Sequence, residues 1–144
     1  YRTLALLESR AIEGHSMGGY GALHLGFKYP GLFAAVTGNA PALVARNNDN
    51  IGSPQYWEQQ SPTTLARANV AQLKRQHIRI IVGDKDGLFA VGKQLDEVLG
   101  ELQIPHEFFP VVGSPHNHDQ LLQYQTFDTM AFYGTVFGAA RRAR

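Results

Sequence analysis

Gly14-His15-Ser16-Met17-Gly18 sets a serine between two glycines in a Gly-x-Ser-x-Gly pattern, with a third glycine, Gly19, behind it. A serine hydroxyl becomes a useful nucleophile only when a base takes its proton and a third group orients that base. Two later stretches offer both. Gly83-Asp84-Lys85-Asp86-Gly87 holds two carboxylates in a tight turn, and Ser114-Pro115-His116-Asn117-His118-Asp119 holds two imidazoles. Spacing alone leaves Asp84 and Asp86 competing for the acid, and His116 and His118 for the base. A nucleophile on such a turn has a strained backbone, and side chains at the flanking glycines would strike the neighbouring strand and helix. The Ser16 hydroxyl then stands at a helix N-terminus, where the Met17 backbone N–H can point at a developing oxyanion. The plainer reading, Ser16 as a helix cap, leaves Gly19 and the strand in front of the motif unexplained.

These side chains need elements to carry them, and apolar runs of strand type and helix type alternate along the chain. A short strand over 9–13 precedes the serine turn, and a helix over 18–29 follows it, stopped by Pro30. A second strand is expected over 32–37, then a long polar connection over 37–54. Ser61 and Pro62 read as cap and first position of a helix near 64–68, and Asn69 as the cap of another running to Gln76. The clearest strand is 78–82, β-branched at four of five positions. Phe89, Val91, Leu95, Val98, Leu99 and Leu102 recur near the 3.6 period, predicting an amphipathic helix over 88–102. A strand over 106–112 and a final helix over 119–138 complete the order. Alternation of this kind predicts an α/β fold, a parallel sheet with helices on both faces and functional groups at the carboxyl ends of the strands.

Composition narrows the function. The chain has 144 residues, 44% of them hydrophobic, enough for one domain with a real core. Thirteen Lys and Arg against twelve Asp and Glu leave a formal charge of +1, too little for a field that gathers nucleic acid or an anionic membrane. The basic cluster Arg141, Arg142 and Arg144 reads as a solvated tail or the last turn of a helix. No apolar run approaches the roughly 18 to 20 residues of a membrane span. Cysteine is absent, which excludes disulfides, thiolate zinc sites and a cysteine nucleophile but leaves the compartment open. The His116-x-His118 pair lacks an evident third ligand, so neither a metal nor a cofactor is expected. His24, His77 and His106 read as surface groups of helices or strands. His15 is expected to pack beside the nucleophile or line its pocket. Trp57, with Tyr56, lies in the long connection, where it either contacts an aromatic acyl or sugar group or plugs the loop.

Gly14-His15-Ser16-Met17-Gly18-Gly19-Tyr20-Gly21-Ala22-Leu23, with Lys28-Tyr29-Pro30 and Phe33 behind it, resembles the esterase D family of α/β-hydrolases. That family includes feruloyl and acetyl-xylan esterases, S-formylglutathione hydrolases and the antigen 85 mycolyltransferases. The resemblance runs over essentially the whole chain and implies hydrolysis of carboxylic esters through an acyl-enzyme. It implies Asp86 as the acid, three residues after the strand-ending glycine. It implies His116 as the base, since the context Pro115-His116-Asn117 matches the family better than that of His118. The resulting set is Ser16, Asp86 and His116 as catalytic residues, Met17 as oxyanion donor, and His15 and Trp57 as substrate-binding residues.

The resemblance also implies strands before the serine turn for which this sequence has no room. Residues 1–8 read as the end of the preceding helix, so 1–144 is expected to be the C-terminal portion of a single α/β-hydrolase domain. The nucleophile strand would then be an open sheet edge, and the second oxyanion donor would come from elsewhere, a missing N-terminal half or a swapped neighbour. The expected substrate is a small-molecule or polysaccharide-linked ester, with feruloyl and acetyl esters of plant polysaccharide implied by the resemblance alone. Acyl transfer by the same fold, and a non-catalytic hydrolase-like binding domain, are the alternatives.

Overall fold

The structure, a computed structural model, describes residues 6–43, 53–123 and 129–142. The expected helix end over 1–5, the middle of the long connection, and Arg144 lie outside the described residues. Four strands, β1 (Ala11–His15), β2 (Ala35–Asn39), β3 (His77–Gly83) and β4 (His106–Val111), form one parallel sheet in the order β1-β2-β3-β4. Parallel neighbours require crossovers, and here these are helical. α1 (Met17–Lys28) links β1 to β2, while α2 (Pro54–Gln60), α3 (Pro62–Ala68) and α4 (Val70–Leu73) lie between β2 and β3. α5 (Phe89–Glu101) links β3 to β4, and α6 (His118–Gln123) and α7 (Thr129–Arg142) follow.

Alternate residues of each strand face opposite sides of the sheet. One face presents Ile12, Val36, Ile78 and Ile80 to Leu23 and Phe27 of α1 and to Leu95 and Leu99 of α5. This is the main core. The other face is mixed. Ile81, Val111 and Phe109 pack on Leu121 of α6, but Glu13, Thr37, Arg79 and Glu107 are register partners across all four strands. Such a polar row needs partners, because an unmatched polar group on a covered face is expensive. Arg79 Nε–H donates to Glu107 Oε2 at 2.6 Å, and its guanidinium lies 3.9 Å from the Phe132 ring centre. The Tyr133 hydroxyl donates to Glu13 Oε2 at 2.7 Å and lies 2.9 Å from the Thr37 hydroxyl. Burial, and then the Glu13 carboxylate, hold the Tyr133 phenol well above its ordinary pKa. α7 is thus held to the sheet by polar as well as apolar contacts.

Several sequence expectations are corrected. β2 starts at Ala35 rather than at Leu32, which is 44% exposed. α2 was not expected, although its signal is the one that marks α3: Ser53 and Ser61 each accept a backbone N–H three residues on, and a proline follows each. Asn69 makes no side-chain cap; its Nδ2 donates instead to the Phe27 carbonyl. Of the helix expected over 119–138, α6 and α7 are the described parts, and 124–128 lie outside the described residues. His106 is not a surface group: its Nε2 bonds Asp96 and its Nδ1 lies 2.8 Å from the Ile104 carbonyl. His24 likewise ties α1 to α2, through the Gln60 carbonyl at 2.8 Å.

Farther along α1 the helix lies close on the sheet at Gly26, where an added Cβ would lie 2.5 Å and 2.8 Å from the two methyls of Val36. Gly26→Ala, which should gain about 0.5–1 kcal/mol in an open helix, is expected to lose about 1–3 kcal/mol here through overpacking. Urea unfolding measures this, and Val36→Ala should cost less in the Gly26→Ala background than in the parent.

Candidate active site

β1 runs directly into Ser16, whose φ of 56° and ψ of −115° lie where a residue with a side chain is strained by about 1–3 kcal/mol. Three backbone bonds hold it there. The Ser16 N–H donates to the Asn39 carbonyl at 2.9 Å, and the Ser16 carbonyl accepts from Tyr20 and Ala42, each at 3.0 Å. A Cβ on Gly14 would be driven into the Gly18 carbonyl, and one on Gly19 would lie 2.8 Å from the Asn39 carbonyl. The expectation for Gly18 is corrected: nothing stands within 4 Å of a Cβ there, so it is the Gly18 backbone that requires a bare Gly14. Ser16 makes no side-chain capping bond to α1. Met17, the next residue, opens α1, so its N–H has no partner within the helix.

Asp86 lies in the turn after β3, its side chain 1% exposed. Oδ1 accepts the Leu88 N–H at 2.8 Å, and Oδ2 lies 2.8 Å from His116 Nδ1. An ionised carboxylate only accepts, so Nδ1 carries the proton and Nε2 turns its lone pair to Ser16 Oγ, 3.0 Å away. Serine, imidazole and carboxylate therefore form one continuous hydrogen-bonded chain. Such a chain can move a proton from hydroxyl to imidazole while the carboxylate fixes the tautomer.

The two competitors sit differently. Asp84 Oδ1 accepts the Gly113 N–H at 2.7 Å, and its own N–H donates to the Val111 carbonyl at 3.0 Å. With Lys85 N–H on the Ser114 carbonyl at 3.1 Å, these bonds latch the loop carrying His116 to the turn carrying Asp86. His118 heads α6 with its Nδ1 3.6 Å from Asp119. His15 stacks on the His116 ring at 5.0 Å and 29°, and meets His118 edge-on at 5.0 Å. Burial, and then the neighbouring His116 and His118, push the His15 pKa below its ordinary value, with Asp86 partly opposing. Among the described residues no group of three or more metal-ligating side chains could hold an ion.

Trp57 lies on α2 against Tyr20, ring centres 5.5 Å apart. Both line a cavity of about 370 Å3 beside α1. Tyr20 carried no signal as a site residue except its place one helical turn after Ser16, on the same helix face. Asn39 acts through its carbonyl, which no side-chain pattern signals, and Asp84, a candidate acid in the sequence, instead ties down a loop far away in the chain.

A parallel sheet with helices on both faces, carrying a serine on a strained turn between a strand and a helix, matches the α/β-hydrolase architecture. The chain belongs to the Esterase family, whose model matches residues 1–114. Among solved structures it is similar to a ferulic acid esterase, with a TM-score of 0.77 and 22% identity over 95% of this chain and 56% of that one. It is also similar to FphF, a fluorophosphonate-binding serine hydrolase of Staphylococcus aureus (TM-score 0.72, 22% identity, 94% of this chain, 56% of that one). The S-formylglutathione hydrolase FrmB of the same organism aligns with a TM-score of 0.69 and 20% identity, over 94% of this chain and 53% of that one. The chain therefore spans about half the length of these structures. No curated protein sequence matches it.

Two outcomes follow from the site's geometry. Since His15 binds its proton more weakly folded than unfolded, the unfolded state holds more protons below about pH 6.5, and stability falls as pH drops through that range. The melting temperature of His15→Phe should fall less than that of the parent between about pH 7.5 and 5.5. For the latch, Asp84→Ala should lose about 1–2 kcal/mol in denaturant unfolding, while Asp84→Asn, which keeps an acceptor for Gly113, should lose less than half of that.

Proposed function

We propose that this chain carries the catalytic residues of a serine carboxylesterase. The observation that carries the reading is His116 placed between Ser16 Oγ at 3.0 Å and Asp86 at 2.8 Å. Ser16 Oγ attacks the ester carbonyl as His116 Nε2 takes its proton, and Asp86 stabilises the imidazolium that forms. The Met17 N–H faces the developing oxyanion. His116 returns the proton to the departing alcohol, then draws one from water, whose attack on the acyl-enzyme releases the acid and restores Ser16. A neutral His15 beside His116 places no second positive charge against that imidazolium.

Two parts of the reading reach outside the described residues. β1 is an edge of the sheet, so a strand from a further segment or a neighbouring chain is proposed to pair with it and to bring the second oxyanion donor. The substrate is proposed to be a small or polysaccharide-linked ester, with feruloyl or acetyl groups in keeping with the similarity to a ferulic acid esterase.

Hydrolysis of p-nitrophenyl acetate and labelling by a fluorophosphonate test the reading. One adduct per chain at Ser16, absent from Ser16→Ala, together with turnover that falls by about 10³–10⁴ in Asp86→Asn at little change in KM, is the expected result. Failure to label Ser16 in the folded protein, or turnover undiminished in Ser16→Ala, would overturn it.

A further inference from the structure

Glu13 stands on β1 two residues before His15, where donors from two other elements meet its carboxylate. Asn39 Nδ2–H donates to Oε1 at 2.6 Å, and the Tyr133 hydroxyl of α7 donates to Oε2 at 2.7 Å. The same hydroxyl lies 2.9 Å from Thr37 Oγ1; its single proton is already given to Glu13, so the Thr37 hydroxyl is the donor in that second bond. Burial keeps the phenol protonated, its pKa raised. A directional chain therefore runs from Thr37 to Tyr133 to Glu13, with Asn39 arriving at the other oxygen. Thr37 and Asn39 are 0% and 3% exposed, and polar groups so placed are costly to leave unpaired.

None of these groups belongs to the Ser16–His116–Asp86 chain, yet they converge on the carbonyl that bends the nucleophile. Asn39 gives that carbonyl to the Ser16 N–H at 2.9 Å. The carbonyl is part of the peptide joining Asn39 to Ala40, and Ala40, at φ 42°, sits where a residue with a side chain is strained. Bonds on both sides resist its relaxation: the Asn39 side chain on Glu13, and the Ala40 N–H on the Ile81 carbonyl at 2.6 Å. Without the first, Asn39 takes other rotamers and the peptide can turn. Ser16 then loses the acceptor that keeps it at φ 56°.

We propose that Glu13 and Tyr133 are positioning residues for the reaction, holding Asn39 and, through its carbonyl, the bent Ser16 in the conformation that attacks. The inference rests on the esterase reading for its effect on rate, whereas its effect on the Ser16 backbone bond stands apart from any chemistry. Glu13 lies on the edge strand and meets solvent, which screens its charge. What it supplies is two acceptor oxygens in fixed places. Glu13→Gln separates these roles: the amide oxygen accepts from Asn39, the amide N–H donates to the Tyr133 hydroxyl, and that hydroxyl turns its proton to Thr37. Every bond of the chain then survives without the charge. Glu13→Ala removes both acceptors, while Tyr133→Phe keeps the ring against Phe132 and Phe137 and loses only the hydroxyl.

Two readouts are taken on each variant. One is exchange of the Ser16 amide proton by NMR, divided by that of Ile80 in the interior strand β3; the other is the maximal rate of fluorophosphonate labelling and the reagent concentration giving half of it. In Glu13→Ala the exchange ratio should rise about fivefold and the maximal labelling rate fall about fivefold, with the half-saturating concentration unchanged. Tyr133→Phe should move both by about threefold, and Glu13→Gln should stay within about twofold of the parent. An unchanged ratio and rate in Glu13→Ala would overturn the proposal, as would Ser16 and Ile80 exchange rising together, the mark of a general loosening. Equal losses in Glu13→Gln and Glu13→Ala would overturn it in favour of the charge. If Glu13→Ala does not fold, Tyr133→Phe decides, and no change in either readout sinks the idea. Failure of the esterase reading shows instead as a missing label at Ser16 in the parent chain, and leaves the exchange ratios as they are.

Discussion

The hydrogen bond from the Ser16 N–H to the Asn39 carbonyl, 2.9 Å long, is the interaction on which the site depends. A serine at φ 56° will relax unless both sides of its peptide are held. The Asn39–Ala42 segment grips it from both sides, the carbonyl of Asn39 from one and the N–H of Ala42 from the other. That segment is itself fixed. Ala40, at φ 42°, places its N–H on the Ile81 carbonyl at 2.6 Å, and the Asn39 side chain donates to Glu13 at 2.6 Å. Strand β2 is thus the anvil against which the end of β1 is bent. Its five residues are all buried, and two of its neighbours supply the bonds that keep it still.

The polar row across the sheet has a place in the same scheme. Parallel strands covered on both faces are ordinarily apolar throughout, yet Glu13, Thr37, Arg79 and Glu107 align on one level. Glu13 binds Asn39 above it and Tyr133 beside it. One carboxylate therefore joins the final helix to the segment that clamps the nucleophile. Hydrophobic contact holds helices in place without specifying register, whereas this row admits one arrangement of α7 on the sheet.

How far the sequence reveals this depends on whether a signal is local. Gly14 to Gly19 could be read because the glycines, the serine and the helix start lie within one turn, and β3 because Ile78, Ile80, Ile81 and Val82 stand together. The α/β order follows from such runs. Residues chosen by distant contacts were less legible. Spacing left Asp84 and Asp86 equal; what separates them is that Asp84 meets Gly113, 29 residues on, while Asp86 turns inward to His116. His106 resembles a surface strand residue until Asp96 on the preceding helix is placed against it. Gly18 fitted the motif for a reason the structure reverses, its own backbone being the obstacle.

The contacts that align the site span very different lengths of chain. Ser16 reaches Asn39 across one helix, but His116 reaches it across 100 residues. Contacts that far apart close late, after the intervening strands have docked. The bent serine forms only once β2 is in place, and its base only once β4 and the loop behind it have been added. A partly opened chain consequently holds neither the bend at position 16 nor the imidazole beside it. The bend at position 16 is therefore itself a mark of completed assembly, written into the backbone.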